Sequence, residues 1–303
     1  MTGYTIKSPV IENPLVSVVT PTYNMASFLE ETIQSVLSQD YPNIEYIVID
    51  GGSTDGSVEI LRKYQGRLRW HSAPDRGQTD AINKGFLESH GQIFAFLCAD
   101  DTYLPGAVST AVKHMLAHPE HAGIYGEGYL TAQDGHIICP YPTKPFDAEL
   151  LKTQCFICQP AAFLWREPFA ETGMMDVELQ NALDYDLWIR LAQRHTLLKV
   201  DEYLATSRMH AGAKTLGQRS AVYKAGIKVI KKHYGYVPFP LVYGYCCSLL
   251  DKRDGFFEQV PPSPSKYLLS LVCGSYENAQ QMPRYWKEWL EAGWNKLFGF
   301  KAR

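Results

Sequence analysis

Three aspartates stand just after two apolar runs of the strand type in the first third of the chain. Asp50 follows residues 44–49, and the neighbours Asp100 and Asp101 follow residues 93–98. Two adjacent carboxylates repel each other unless a cation is present, and Mg²⁺ or Mn²⁺ prefers such oxygen ligands and also binds phosphate. The pair therefore predicts a metal site, whereas Asp50 predicts a hydrogen bond to a base N–H or a ribose hydroxyl.

Each of these aspartates also has a structural alternative, because Asp accepts hydrogen bonds in turns and at helix starts. Asp50 opens the segment DGGSTDG at residues 50–56, in which glycine permits tight turns. We favour ligand binding for Asp50 and helix capping for Asp55, which stands at the start of the next helical pattern. For Asp100 and Asp101, turn and capping chemistry stays open.

Strands and helices that can position these residues alternate through the first half of the chain. The strand patterns lie at residues 15–20, 44–49, 68–72 and 93–98, and the helical patterns between them at residues 26–39, 57–64 and 79–89. This alternation with short connections predicts an α/β fold with a central, mostly parallel sheet and helices on both faces. Ligands of such sheets bind beyond the carboxyl ends of the strands, where the three aspartates stand.

The second half of the chain has a different pattern. Residues 122–138 predict a pair of strands joined by a tight turn, and residues 183–195 predict a strongly amphipathic helix. The rest of the chain is helical in pattern and rich in Pro and Tyr. We therefore expect one α/β domain at residues 1–214 and a helical extension at residues 215–303, which would serve in oligomerisation or in contact with a membrane surface.

The composition excludes several classes of protein. Of the 303 residues, 46% are hydrophobic and 20% are charged, and the formal net charge of −3 gives no bias toward nucleic acid. The sequence contains no G-x-x-x-x-G-K-[ST], so it is not a P-loop protein. It also has no G-x-G-x-x-G after the first strand, which argues against a dinucleotide-dependent enzyme.

The cysteines and the N-terminus bear on the cellular compartment. The seven cysteines are scattered, and the C-x-x-C at Cys155 and Cys158 has no second pair at zinc-binding spacing. We expect reduced thiols in a cytoplasmic protein. We find neither a secretory signal nor an apolar run long enough to span a bilayer, so we expect membrane contact, if any, at the inner face of the membrane.

Five motifs, taken in order, resemble those of family 2 glycosyltransferases. They are PTYN at residues 21–24, DGGSTDGS at 50–57, PDRGQTDAINKG at 74–85, ADDTYLPG at 99–106 and ALDYDLWIRL at 182–191. Each motif alone is weak, but all five in this order and spacing are specific. The resemblance covers roughly residues 14–212 and implies the GT-A fold, which binds one nucleotide, so that residues 1–214 would form the catalytic domain.

The resemblance implies a set of residues that bind the nucleotide of a nucleotide sugar. Asp50 would bind the base, which is usually uracil in this family. The full set implied for the nucleotide and its phosphates is Pro21, Thr22, Tyr23, Asp50, Asp75, Arg76, Gly77, Lys84 and Asp100.

The resemblance also implies a metal ion, Mn²⁺ or Mg²⁺. Asp100 and Asp101 match the acidic metal motif, and His210 falls in a loop where a histidine touches the diphosphate or the metal. Cys98 departs from the pattern, because an acidic residue often stands at that position and a thiol is a poor ligand for Mg²⁺. The ion would therefore rest on Asp100 or Asp101 alone, with help from the diphosphate.

For the reaction, the resemblance implies direct displacement with inversion at the anomeric carbon. Asp184 matches the general base, which takes the proton of the acceptor hydroxyl. The metal, with Arg76, Lys84 or His210, would stabilise the departing diphosphate. From periodicity alone, Asp184 and Asp186 are acidic residues that stabilise the start of a helix. Only the resemblance assigns Asp184 to catalysis. It leaves Asp186 with a structural role or a role on the acceptor side.

We therefore expect an inverting glycosyltransferase that moves a sugar from a nucleotide-diphosphate sugar to an acceptor hydroxyl. We expect the donor to be a UDP-sugar and the product to belong to cell-envelope or exopolysaccharide synthesis. Its partners would be the donor and a glycan or lipid-linked acceptor, but not nucleic acid. The Trp- and Lys-containing residues 285–303 predict peripheral contact with a membrane or another subunit. Two alternatives stay open: a nucleotide-sugar-binding protein without turnover, which Cys98 favours, and a nucleotidyltransferase, which PTYN disfavours.

Overall fold

The computed structural model describes residues 12–251 and 263–298, with side chains to residue 293. The strands, in chain order, are β1 (Val16–Thr22), β2 (Ile44–Asp50), β3 (Arg69–Ser72), β4 (Ile93–Phe96), β5 (Thr102–Tyr103), β6 (Gly123–Thr131), β7 (Ile137–Pro140), β8 (Ala162–Trp165) and β9 (Leu198–Arg208). The helices are α1 (Ala26–Leu37), α2 (Ser57–Lys63), α3 (Gln78–Glu88), α4 (Ala107–Ala117), α5 (Arg166–Glu171), α6 (Leu183–Ala192), α7 (Lys214–Gly217), α8 (Arg219–Tyr234), α9 (Phe239–Leu250), α10 (Pro264–Glu277) and α11 (Met282–Phe298).

One sheet forms the centre of the described structure. Its strand order is β3-β2-β1-β4-β8-β6-β9-β5, with β7 paired to β6. The strands β3, β2, β1 and β4 are parallel, as the alternating pattern predicts. Beyond β4 the sheet is mixed, since β8 is antiparallel to both β4 and β6. The predicted α/β class is therefore confirmed, and the antiparallel strands come from the second half of the chain.

The parallel strands end at one edge because β1 and β2 are in register. Thr22 lies opposite Asp50 at the ends of these strands. β4 ends at Phe96, two residues before the predicted end, and the chain then turns, with the N–H of Asp101 donating to the carbonyl of Cys98 at 3.0 Å. Asp55 has the predicted capping role, because its carboxylate accepts hydrogen bonds from the N–H of Ser57 and of Ala26.

The helical extension shares its core with the sheet. One cluster of buried apolar side chains joins Val19 of β1, Phe94 of β4 and Trp188 of α6 to Ile230 of α8 and Tyr285 of α11. Burial of this continuous apolar surface is the main force that holds the helices on the sheet. The division of the chain at residue 214 stays a prediction, because this core extends across it.

A buried aspartate fixes helix α6 in place. Asp186 is fully buried, and its two carboxylate oxygens accept hydrogen bonds from Nε of Arg190 at 2.7 Å and Nε2 of His233 at 2.8 Å. Arg190 also donates to the backbone carbonyls of Thr172 and Met174. Asp186 and Arg190 thus link α6 to α8 and to the segment after α5. This assigns Asp186 a structural role, one of the two alternatives for that residue.

None of the helices in the described ranges is both long enough and apolar enough to cross a bilayer. The predicted surface contact of residues 285–303 stays a prediction, and residues 299–303 lie outside the described residues.

Asp186→Ala should lower the free energy of unfolding by about 3–5 kcal/mol, because it leaves Arg190 and His233 inside the protein without their acceptor. Urea denaturation followed by circular dichroism measures this. Asp201→Ala is the matched control, since the exposed Asp201 pairs with Lys199 at the surface and should matter little. Equal unfolding midpoints for the two variants would contradict the role of Asp186.

Candidate functional site

A cleft of about 1170 Å³ opens at the carboxyl ends of the parallel strands. Its walls come from the segments after β1, β2, β3 and β4, from the start of α6 and from the helices after β9. The structure brings most of the predicted site residues together there: Pro21, Thr22, Tyr23, Asp75, Gly77, Asp100, Asp101 and Asp184 all line the cleft. Asp50, Arg76, Lys84 and His210 do not belong to this lining.

Asp50 is a structural residue of its loop. It is fully buried, and one carboxylate oxygen accepts hydrogen bonds from the N–H of Ser53 at 2.9 Å and Oγ of Ser72 at 2.6 Å. The other oxygen accepts from Oγ of Ser53. With these partners the carboxylate is saturated and lies away from the cleft. The structure does not place Asp50 where the predicted contact with the base requires it.

Asp75 presents a carboxylate to the cleft instead. It lies directly over Gly51, so that a Cβ at Gly51 would be 3.1 Å from both of its carboxylate oxygens. Its Oδ1 accepts the N–H of Gly77 at 2.8 Å, and its Oδ2 has no hydrogen-bond partner among the described residues. Asp75 therefore offers one acceptor oxygen to a ligand at the end of β2.

The two basic residues predicted to contact phosphate lie elsewhere. Lys84 forms an ion pair with Asp80 at 2.9 Å, and Arg76 approaches the same carboxylate at 3.5 Å. These partners lie four residues apart along the chain, on and just before α3, which favours such pairs. Neither cation lines the cleft, so the structure does not support their predicted contact with the phosphates.

The turn after β4 gathers ligands suited to a divalent cation. Cys98, Asp100 and Asp101 each offer an atom within 4.8 Å of the others. His210 reaches Asp100 from behind the cleft, with Nε2 at 3.0 Å from Oδ2. That separation is a hydrogen bond, and His210 does not belong to the cluster of three ligand atoms. The two carboxylates of the cluster suit Mn²⁺ or Mg²⁺.

Asp101 carries much of the electrostatic strain at this turn. Burial and the neighbouring Asp100 carboxylate raise the pKa of Asp101 well above its usual range. The backbone N–H of Arg208 donates to its Oδ1 at 2.9 Å and partly offsets this effect. The Arg208 side chain itself is committed to the carbonyl of Asp100 and to Glu31. A cation at the turn would relieve the remaining repulsion.

The thiol of Cys98 is held neutral beside these carboxylates. Burial and the nearby Asp101 raise the pKa of Cys98 well above its usual range. Nε2 of Gln78 donates to its sulfur at 3.0 Å. A neutral thiol adds no charge to the turn, so Asp100 and Asp101 carry the negative charge available to a cation.

Asp184 enters the cleft from the first turn of α6. Ala182, two residues before it, has a φ of 56°, in the left-handed region that costs a non-glycine residue free energy and is found often at functional sites. Burial raises the pKa of the Asp184 carboxyl, and a backbone hydrogen bond from Tyr185 and the charge of Lys214 partly counteract it. Asp184 is therefore a carboxylate of increased basicity.

Lys214 is a cleft residue that the sequence analysis missed. Its Nζ donates to Oε1 of Gln78 at 3.0 Å and to the carbonyl of Gln180 at 2.5 Å. Cys98 and Asp184 both interact with its charge. An ammonium has three N–H donors, so one remains for a ligand. No local motif marks this residue, because its partners lie 136 and 34 positions away in sequence.

Oγ1 of Thr22 and Oδ1 of Asn181 are buried polar atoms of the cleft wall that have no hydrogen-bond partner within the described residues. Buried polar groups are nearly always paired, so such atoms mark the places where a polar ligand or water completes the site. Thr22 stands at the end of β1, and Asn181 stands three residues before Asp184.

The far end of the cleft is lined by the helical extension. Val222, Tyr223 and Gly226 of α8 and Leu241 of α9 contribute to its wall. Residues of the segment 153–160 also line the cleft, and its Gln159 donates to the carbonyl of Phe96 at the end of β4. The extension is thus part of the cleft, which the sequence pattern did not predict.

The parallel strands that end in an acidic cleft define a GT-A type nucleotide-sugar fold, and comparison with known proteins agrees with this class. The sequence matches the family model for glycosyl transferase family 2 over residues 17–173, so the chain belongs to that family. The resemblance predicted from the five motifs is confirmed.

Two curated relatives illustrate the range of the family. An uncharacterised glycosyltransferase of Rickettsia prowazekii is 29% identical over 218 residues, which cover 68% of this chain and 67% of the relative. An O-antigen biosynthesis protein of Myxococcus xanthus is 31% identical over 230 residues, which cover 73% of this chain and 18% of the relative. The match thus spans about two thirds of the length of the Rickettsia relative and less than a fifth of the length of the Myxococcus relative.

Two solved structures have a similar fold. S. aureus TarS (1–349) in complex with UDP-GlcNAc superposes with a TM-score of 0.57 at 15% identity, covering 95% of this chain and 93% of that chain. A mannosyltransferase from Pyrobaculum calidifontis in complex with GDP-Man and Mn²⁺ superposes with a TM-score of 0.57 at 17% identity, covering 99% and 92%. The predicted GT-A fold is confirmed by these likenesses.

Asp184→Asn should stabilise the protein increasingly as the pH rises. Since the pKa of Asp184 is raised in the folded state, its contribution to stability is full below the pKa of the unfolded chain. That contribution is lost as the pH rises through the raised pKa, whereas an amide does not ionise. Melting temperatures of wild type and variant between pH 4 and pH 8 measure the difference.

Asp134→Asn is the control for this comparison. The exposed Asp134 accepts a hydrogen bond from the N–H of His136, which lowers its pKa, so its replacement should give no gain as the pH rises. A melting-temperature difference for Asp184→Asn that stays constant over this range would show that Asp184 is not under electrostatic strain.

Proposed function

We propose that the protein transfers a sugar from a nucleoside-diphosphate sugar to an acceptor hydroxyl with inversion, and that Asp184 is the general base. The observation that carries the proposal is the position of Asp184. Its carboxylate has a raised pKa and shares one cleft with the acidic turn of Asp100 and Asp101. A base and a cation site that share one cleft suit displacement at a carbon that lies between them.

We assign recognition of the base to Asp75 rather than Asp50. Oδ2 of Asp75 is an acceptor in the cleft, whereas the carboxylate of Asp50 is saturated. A single available oxygen suits the one N–H donor of uracil better than the paired donors of guanine. TarS, which shares the fold, was solved with UDP-GlcNAc, and this supports a UDP-sugar as donor.

For the diphosphate, we propose two sources of positive charge. Asp100 and Asp101, with His210 hydrogen-bonded to Asp100, would hold a divalent cation, which supplies charge that stabilises a leaving diphosphate. The mannosyltransferase with the same fold was solved with Mn²⁺. Lys214 is the second source, because its remaining N–H lies in the same cleft. Together the cation and Lys214 would bind the diphosphate although position 98 carries a thiol in place of an acidic side chain.

The reaction then needs one proton transfer. The acceptor oxygen attacks the anomeric carbon as the Asp184 carboxylate takes the hydroxyl proton. The bond from this carbon to the β-phosphate oxygen breaks, and the nucleoside diphosphate leaves with the electron pair. Lys214 donates a hydrogen bond to the departing oxygens, where negative charge develops.

The biological setting that we propose is polysaccharide synthesis at the cytoplasmic side of the cell envelope. The Myxococcus relative is an O-antigen biosynthesis protein, which supports this class of product. The seven cysteines all lie in the described residues and form no disulfide there, as in proteins of a reducing compartment.

Asp184→Asn should lower turnover by about 10²- to 10⁴-fold, because general-base catalysis is lost. The affinity for the nucleotide sugar should stay near that of wild type, since Asp75 and the turn after β4 bind the donor. Release of nucleoside diphosphate from a panel of nucleotide sugars with candidate glycan acceptors measures turnover, and calorimetry measures affinity. Asp134→Asn, the same exchange at an exposed turn, should keep full activity.

Two outcomes would contradict this assignment. Turnover retained in Asp184→Asn would remove Asp184 from the mechanism. Wild-type protein that binds nucleotide sugars but neither transfers nor hydrolyses them would instead support a binding protein without turnover, the alternative that Cys98 favours.

Asp75→Ala and Lys214→Met should affect different parts of the nucleotide. Loss of a hydrogen bond to the Asp75 carboxylate should weaken uridine, UMP and UDP alike, by about tenfold or more. Lys214→Met should weaken UDP by a similar factor and leave uridine and UMP nearly unchanged. Calorimetry with each ligand, in Mn²⁺ and in EDTA, measures both effects. A folded Asp50→Ala variant that loses affinity for uridine, together with an Asp75→Ala variant that keeps this affinity, would show that the assignment of Asp75 is wrong.

A further inference from the structure

The side chain of Tyr141 enters the cleft from the segment that directly follows β7. It lines the same cleft as Asp101 of the acidic turn and Asp184 of α6. Tyr141 belongs to none of the five sequence motifs, and the proposed mechanism gives it no part. A tyrosine in the wall of a polar cleft can offer both an apolar ring and a hydroxyl to a ligand.

Backbone and packing contacts hold Tyr141 in the cleft wall. Its N–H donates to the carbonyl of Gly128 at 2.7 Å, which extends the pairing of β7 with β6 by one residue. Three residues on, the carbonyl of Lys144 accepts a hydrogen bond from the buried Tyr125 of β6 at 2.7 Å. The Tyr141 ring also packs against the buried apolar side chains of the sheet. The ring therefore has a fixed position in the wall.

The hydroxyl of Tyr141 has no hydrogen-bond partner within residues 12–251 and 263–298, although its backbone N–H and carbonyl both have one. Burial raises the pKa of the Tyr141 phenol well above its usual range, and neighbouring thiols and carboxylates add to this effect. The phenol therefore stays protonated and can donate one hydrogen bond. Tyrosine hydroxyls in protected places usually have a partner, so a ligand of the cleft is the expected acceptor.

The phenol lies within reach of the two carboxylates that flank the reaction. The charges of Asp184 and Asp101 both act on Tyr141, yet neither carboxylate accepts its hydrogen bond. The neutral thiol of Cys98 interacts with the same two carboxylates. These groups therefore surround one part of the cleft, and the phenol faces it without being paired to either acid.

The proposed reaction places the transferred sugar in this part of the cleft. In a displacement with inversion, the acceptor oxygen and the departing phosphate oxygen lie on opposite sides of the anomeric carbon. Asp184 serves the acceptor oxygen, and the turn that contains Asp101 serves the phosphate, so the sugar ring must lie between them. A phenol within reach of both carboxylates is therefore beside the sugar rather than beside the nucleotide base.

We propose that Tyr141 binds the transferred sugar, with its hydroxyl donating a hydrogen bond to a sugar oxygen. This inference rests on the proposed function and deepens it, because Asp75 and Lys214 contact only the nucleotide. The hydrogen bond exists with the nucleotide sugar and not with the free nucleoside diphosphate, which lacks the sugar. Tyr141 is thus a specificity-determining residue, since a site built to bond a substrate oxygen discriminates against a ligand without it.

Tyr141→Phe tests the proposal, because it removes the hydroxyl and keeps the ring that packs in the wall. Calorimetry in Mn²⁺ compares UDP-glucose, UDP-N-acetylglucosamine and GDP-mannose, each with its own nucleoside diphosphate. For the nucleotide sugar that wild type binds most tightly, the variant should lose about three- to tenfold in affinity, the worth of one hydrogen bond. Its affinity for the matching nucleoside diphosphate should stay unchanged, whereas a general disturbance of the cleft would weaken both ligands.

Tyr203→Phe is the matched control. Tyr203 is an exposed tyrosine of β9 that stacks on Tyr129 outside the cleft, so the same exchange there should alter neither affinity. Equal losses for the nucleotide sugar and the nucleoside diphosphate in Tyr141→Phe, or no loss for either, would overturn the role of Tyr141. Because the measurement is binding, it is separate from turnover. Wild type that binds a nucleotide sugar without transferring it would contradict the proposed reaction, and the affinities of Tyr141→Phe would still decide whether its hydroxyl contacts the sugar.

Discussion

Burial of carboxylates, with repulsion between two neighbours, is the constraint around which this cleft is built. Asp75, Asp100, Asp101 and Asp184 all line it, and burial raises the pKa of Asp101 and Asp184, with the charge of Asp100 adding to the effect on Asp101. The backbone N–H of Arg208, the imidazole ring of His210 and the ammonium group of Lys214 compensate for only part of this charge. The remainder costs folding free energy, which a bound cation would offset. Functional sites often keep such local instability because the groups that react must not be fully satisfied beforehand.

Features set by local sequence were predictable. The bounds of β1, β2, β4, α1 and α3 agree with the patterns to within two residues, because hydrophobic period and turn residues are properties of short segments. Asp100 and Asp101 follow a strand of the parallel sheet, so their place at the cleft follows from the rule that strand ends share an edge. Placing Asp184 in the same cleft needed the family resemblance, since its periodicity alone indicates a helix start.

Features set by contacts between distant segments were not predictable. Asp50 looks available in sequence, yet Ser72 from the neighbouring strand saturates it. Lys214 has no motif because Gln78 and Gln180 place it, and the antiparallel strands and the helical wall of the cleft depend on packing in the same way. The ion pairs of Asp80 with Arg76 and Lys84, in contrast, could have been predicted, because the four-residue spacing is visible in the sequence. This spacing could have excluded both basic residues from the predicted phosphate contacts.

The close approach of Gly51 and Asp75 couples two positions that lie in separate loops. The first atom of a side chain at Gly51 would already be 3.1 Å from the Asp75 carboxylate, so both loops cannot place a large residue there. A carboxylate can reach this point from either loop, but not from both. Among related chains, an acidic residue at the first position should therefore be accompanied by a smaller or displaced residue at the second. Compensatory exchange of this kind would let base recognition move between loops while the sheet beneath stays the same.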